Sequence, residues 1–166
     1  MTQDDSAIGG AADPGITVLG RGYYWDDLQV GQRFATIRRT INEHDLATFV
    51  GLAGMFAEGF LNGVAGTGPL AGRPVPGALT YSMIEGLLVT TMLSGTGLAL
   101  LESRQVMHKP VQVGDTIRGI VEITSIRPTS GGNRAIVGSS IRILNQRDEC
   151  VITYETTRML SGRPRA

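Results

Sequence analysis

Few side chains in this sequence are equipped to move a proton, attack a carbonyl or hold a metal. There are two histidines, His44 and His108, and one cysteine, Cys150. One Cys and two distant His cannot assemble a nitrogen–sulfur metal cluster, which leaves only a site built mainly from carboxylates. Cys150 has no internal disulfide partner, and in a strand-like run it reads as a small core residue in a reducing compartment. His44 falls in the first turn of a short helix, where a solvated imidazole is the plain reading. Glu85 is more informative, as the only charge in the apolar run Gly77 to Leu93. A carboxylate in so apolar a setting is a candidate base or nucleophile. The competing reading is a helix-borne charge that reaches the edge of the core or a partner chain.

The element that carries Glu85 organises the chain. Pro74, Pro76 and Gly77 make a turn, and the residues after it read as a helix of about sixteen residues, roughly 24 Å long. Leu79, Met83 and Leu87 fall on one side, Ile84, Leu88 and Met92 on the next, and Val89 and Leu93 close the ring. A helix apolar on nearly every side is a buried one. Its charge and small polar groups make it a poor membrane span. Before it, Arg33 to Ile41 reads as an edge-like strand. Asn42 and Asp45 start a helix that runs to Ala53, with Gly54 as its stop. Met55 to Ala71 reads as loop with short helical pieces. After the central helix the period changes to two, over Leu98 to His108, Thr116 to Ile126, Arg134 to Leu144 and Glu149 to Leu160. The joints between these strands are too short for a crossover helix, so the strands are expected to be antiparallel. The fold class is α+β, one antiparallel sheet against one long helix. A sheet covers one side of a helix only, so a second subunit is expected to cover the rest.

Fifteen basic and fifteen acidic residues balance, so no nucleic acid is expected as partner. Lys109 is the only lysine. Residues 1–20 read as a disordered tail, not a signal peptide, and residues 161–166 as a flexible tail; 21–160 form the single domain. A cytoplasmic location away from membranes is expected.

Four stretches, WDDLQVGQRF, FVGLAG, GRPVPGALTYSMIEGLL and HKPVQVGDTI, give the chain a resemblance to the MaoC-like dehydratases. These are the hydratase branch of the hotdog fold, and the likeness spans about residues 23–160. It implies a sheet wrapped around the central helix and a dimer with adjoining sheets. It also implies an acyl thioester of coenzyme A or acyl carrier protein as substrate, with no further cofactor. Hydration of a 2-enoyl thioester needs a base for water, an acid for C2 and donors to the thioester carbonyl. In the family an Asp and a His do the proton work in a G-D-x-N-P-x-H pattern. Aligned on Gly54, those two positions are Met55 and Phe60 here, and Glu58 is the only acid in the loop. The family aims the amide of the residue matching Gly77 at the carbonyl. Pro76 and Ala78 flank that amide, and Arg73, Arg104 and Lys109 are candidates to hold coenzyme A phosphates. Some hotdog thioesterases carry an acid eight residues after that glycine, the spacing of Gly77 to Glu85, so Glu85 is a second catalytic candidate. Three readings follow: a hydratase or dehydratase with a replaced acid/base set, a thioesterase using Glu85, or a non-catalytic member that binds a thioester or completes the site of a paralogous hotdog subunit.

Overall fold

The computed structural model describes residues 20–62 and 72–164. The expected N-terminal tail, apart from Gly20, and residues 63–71 of the expected loop lie outside the described residues. Five strands form the main sheet: β1 (Arg33–Ala35), β6 (Thr116–Pro128), β7 (Arg134–Leu144), β8 (Cys150–Ser161) and β4 (Gly97–Met107). They lie in the order β1-β6-β7-β8-β4, every neighbouring pair antiparallel. The two-residue β2 (Arg39–Thr40) also pairs with β6, and β3 (Pro74–Val75) pairs with β5 (Val111–Gln112) in a clip of its own. The expected strand Arg33 to Ile41 is thus broken. At the break, Thr36 Oγ1 accepts the Gly119 N–H at 2.9 Å and donates to the Ile37 carbonyl at 2.8 Å, which turns the chain out of the ladder.

Helix α1 (Glu43–Ala53) starts and stops where its caps are. Asn42 Oδ1 accepts the Asp45 N–H at 3.0 Å, Asp45 accepts the Asn42 N–H at 3.0 Å, and Gly54 adopts φ 66°. A four-residue turn of helix, α2 (Glu58–Leu61), follows. The central helix α3 (Gly77–Val89) has 13 residues, shorter than expected. Two threonines end it: Thr90 Oγ1 donates to the Gly86 carbonyl at 3.0 Å and Thr91 Oγ1 to the Leu87 carbonyl at 2.6 Å. Such side-chain bonds compete with continued helix.

One side of α3 lies on the sheet. Ile84 and Leu88 are buried there with Ile117, Val121, Ile123, Ile141 and Tyr154. Gly119 makes the approach possible, since a Cβ there would sit 2.8 Å from Ile84 Cγ2. The other side is not enclosed within the single chain, as expected of a helix whose remaining face awaits a second subunit. Val89 is exposed, and Met83 and Leu87 face an open groove of about 540 Å³ against Phe49 and Leu52 of α1. Residues 161–164, expected as part of a flexible tail, are tied to the domain at Ser161 and Arg163. Ser161 closes β8, and Arg163 donates to Asp27 Oδ1 at 2.8 Å through Nε and to Asp26 Oδ1 at 3.0 Å through its backbone N–H.

The single charge of α3 is answered from the sheet. Arg158 Nη2 donates to both oxygens of Glu85, at 2.6 and 2.7 Å, and the Tyr154 hydroxyl donates to Oε1 at 2.8 Å. Arg158 Nη1 donates to Thr156 Oγ1. Tyr154, Thr156 and Arg158 alternate along β8, so one inward face carries the whole set. Arg158 is 6% exposed, so its removal strands a carboxylate with little access to water. Arg158→Met is expected to lower unfolding free energy by about 3 kcal/mol. The double variant Glu85→Leu/Arg158→Met is expected to recover most of that loss, both read by urea denaturation.

Candidate active site

A cavity of about 470 Å³ opens at the first turn of α3. Three separate segments build it. Ala57, Gly59 and Phe60 come from the approach to α2 and from α2 itself, Pro74 to Gly77 and Thr80 from β3 and α3, and Met107 to Val111 from the end of β4 and the start of β5. Ile152 of β8 closes the floor. The β3–β5 clip brings the second and third segments together by pairing Val75 with Val111. Gly77 is the first residue of α3, so the helix itself makes no use of its N–H. Its backbone lies bare against Met107; a Cβ there would stand 3.0 Å from Met107 Sδ and Cε.

The sequence candidates divide between this wall and elsewhere. Gly77, Pro76, Phe60 and Lys109 line the cavity, and the other six do not. Met55 is half-buried just past the Gly54 turn and Glu58 is exposed at the start of α2, where its Oε1 lies 3.5 Å from Asn62 Nδ2. Ala78 is exposed on the outward side of α3. Arg104 stands on the exposed strand β4 opposite Glu155. Arg73 is engaged at the margin of the cavity, outside its lining. Its Nε and Nη2 donate to Glu43 at 3.2 and 2.8 Å, and Nη1 donates to the Phe60 carbonyl at 3.1 Å. That pairing holds the Glu43 carboxyl below its ordinary range and raises the Arg73 guanidinium. Glu85 is bound up with Arg158 and Tyr154, so the apolar setting that suggested a nucleophile is replaced by an ion pair. Burial first, then the Glu85 charge, push the Tyr154 phenol up, and it stays a donor. Cys150 is half-buried and burial raises its thiol, in keeping with a packing role.

Sequence reasoning passed over His108, which lines the cavity with Gly77. Its Nε2 lies 2.8 Å from Thr153 Oγ1. Only His108 and Lys109 among the lining residues carry ionisable side chains, and Lys109 Nζ donates to Glu149 at 2.7 Å. Residues 63–71 contain no acid, histidine or basic residue. Among the described lining residues the cavity offers the backbone of Gly77, the His108 imidazole, the Lys109 ammonium and mostly apolar walls.

No family model matches the sequence. Over 107 residues, 64% of this chain and 73% of the relative, it is 30% identical to an (R)-specific enoyl-CoA hydratase of Rhodospirillum rubrum. Its structure matches a MaoC-like dehydratase of Rhodospirillum rubrum with a TM-score of 0.69, at 23% identity over 87% of this chain and 100% of that one. A Mycobacterium tuberculosis protein with a double hotdog fold matches with a TM-score of 0.73, at 21% identity over 87% of this chain and 46% of that one.

The rim of the cavity has a measurable electrostatic signature. Hydrogen bonds from Lys109, then Asn145 and Arg147, hold the Glu149 carboxyl down at about 2. A carboxyl lowered in the folded state stabilises it in full above the ordinary value of 4.5 and loses that contribution as pH falls towards about 2. Carboxyl-detected NMR is expected to give a Glu149 midpoint near 2 in the parent protein, and Lys109→Met is expected to move it upward.

Proposed function

The chain belongs to the MaoC-like, (R)-specific enoyl-CoA hydratase family of the hotdog fold, and on that premise we propose that it takes an acyl thioester of coenzyme A or acyl carrier protein into the cavity at Gly77, as a hydratase or dehydratase whose usual Asp/His pair is replaced. One observation carries this reading: the bare backbone of Gly77 opens on an apolar cavity of about 470 Å³, a size suited to a small ligand. The Gly77 N–H donates to the thioester oxygen, which gains charge as C3 is attacked, and a donor already in place stabilises that charge. Phe60, Val75, Pro76 and Ile152 keep the reacting carbons out of bulk water. Lys109, the basic residue among those lining the cavity, is the cation that would meet a phosphate of the carrier. A thioesterase working through Glu85 is not supported, because that carboxylate is spent on Arg158 and Tyr154.

A second copy of the chain is part of this proposal. Strand β4 ends the sheet, its outer edge is unpaired among the described residues, and all eleven of its residues are exposed. Leu98, Leu100, Leu101, Val106 and Met107 are exposed along it. An apolar edge of this length is a template for another strand. This chain matches 46% of the double-hotdog protein, which supports a dimer with adjoining sheets. A paralogous hotdog subunit would meet the same edge.

Light scattering at micromolar concentration is expected to give twice the 17.7 kDa chain mass, and Leu100→Lys/Leu101→Lys is expected to lower it. A 17.7 kDa species for the parent protein alone would remove the self-paired dimer and leave only the paralogous partner. Titration calorimetry with crotonyl-CoA tests the substrate class. Gly77→Val, which drives a side chain into Met107, is expected to weaken binding about tenfold with the melting temperature nearly unchanged. Equal affinity for parent and variant would take the thioester away from Gly77.

A further inference from the structure

We infer that His108 is the single acid–base group of this cavity, taking over both halves of the proton transfer that the positions of Met55 and Phe60 cannot perform. The inference rests on the thioester reading above and names the residue that would make the site a working one.

Three observations converge on it. His108 and Gly77 share the wall of one cavity, so a thioester seated on the Gly77 amide lies in the space the imidazole borders. The imidazole is oriented, since its Nε2 sits 2.8 Å from Thr153 Oγ1 on β8. The competing groups are engaged or remote. Lys109 is paired with Glu149, Glu85 with Arg158, and Glu58 is off the wall. A base must be within reach of the proton it moves and free to accept it. Among the described residues lining the cavity, His108 alone is an ionisable group not taken up by an ion pair.

The chemistry balances with one imidazole. In the tautomer whose Nε2–H donates to Thr153, Nδ1 keeps its lone pair. Nδ1 takes a proton from water as the water oxygen bonds to C3 of a 2-enoyl thioester. The π electrons move onto the thioester oxygen, where the Gly77 N–H holds them. The imidazolium then gives its proton to C2 as the carbonyl re-forms. One O–H bond and the C2–C3 π bond break, one C3–O and one C2–H bond form, and nothing is oxidised or reduced overall. Read backwards, the same steps dehydrate a 3-hydroxyacyl thioester. A single group on one side of the substrate delivers both the hydroxyl and the proton to the same face.

The test measures crotonyl-CoA binding by calorimetry and its hydration by absorbance, on the parent protein, His108→Gln and His108→Asn. Both amides keep a donor for Thr153 and neither carries a proton at neutral pH. The expected result is hydration by the parent protein, a fall in kcat of about a hundredfold or more in both variants, and dissociation constants within about threefold of the parent. Hydration that survives both substitutions overturns the role of His108 and leaves the thioester site standing. Tight binding without hydration by the parent protein overturns the inference and makes the chain a binding member of its family. Failure of the parent protein to bind any acyl thioester removes the proposed substrate class and the role of His108 with it. Loss of binding in the variants, at unchanged turnover of bound substrate, would make His108 a holding group and would also overturn the inference.

Discussion

One charge fixes how the central helix sits. Eight residues of side-chain pattern separate Gly77 from Glu85, and α3 offers apolar side chains in several directions, so hydrophobic packing alone leaves its rotation loosely set. Glu85 removes that freedom. Its carboxylate must meet Arg158 and Tyr154, which lie on one inward face of β8. Turning the helix by one residue would move the carboxylate about 100° around the axis and leave Arg158 buried without its partner. The edge of Tyr81 on the Tyr154 ring, centroids 5.0 Å apart, reinforces the same orientation. What the helix presents at its first turn, a bare glycine backbone lining the cavity, is therefore set two turns away by an ion pair.

The cavity shows a division of labour between rim and interior. Charges at the margin are paired across segments: Arg73 with Glu43 and the Phe60 carbonyl, Lys109 with Glu149. These bonds hold α1, α2, β3 and the β7–β8 turn around the opening. The interior is left to Phe60, Val75, Pro76 and Ile152, where a weak donor counts for more because little water competes. An arginine that looked suited to phosphate is here a strut, and its planar fork, able to reach a carboxylate and a carbonyl together, explains the use.

Local features were legible in the sequence because their physics is local. Asn42, Asp45 and Gly54 bound α1 at the residues expected, and the period-two runs returned β4, β6, β7 and β8 to within two residues at every end. The central helix begins at Gly77 as expected but stops short of the expected far end, since the capping bonds of Thr90 and Thr91 do not show in a hydrophobic pattern. The site was harder to read. Glu85 and Arg158 are 73 positions apart and Arg73 and Glu43 are 30 apart, so nothing local said which charges were already taken. His108 ends a strand in the sequence; only the pairing of Val75 with Val111 carries it beside Gly77. Register between distant strands decided the composition of the cavity.

A composition that is nearly all arginine among its basic residues has an unplanned result for chemistry done on this protein from outside. Arginine does not react with common amine reagents, and the sole lysine stands at the mouth of the cavity. Apart from the amino terminus of the chain, an acylating dye or cross-linker finds one nucleophilic nitrogen, and it is held by Glu149 beside the opening. A fluorophore placed there needs no engineered cysteine, and only the amino terminus competes for it. On the proposed reading it would sit where a carrier group passes, so the molecule would supply its own optical gauge of occupancy.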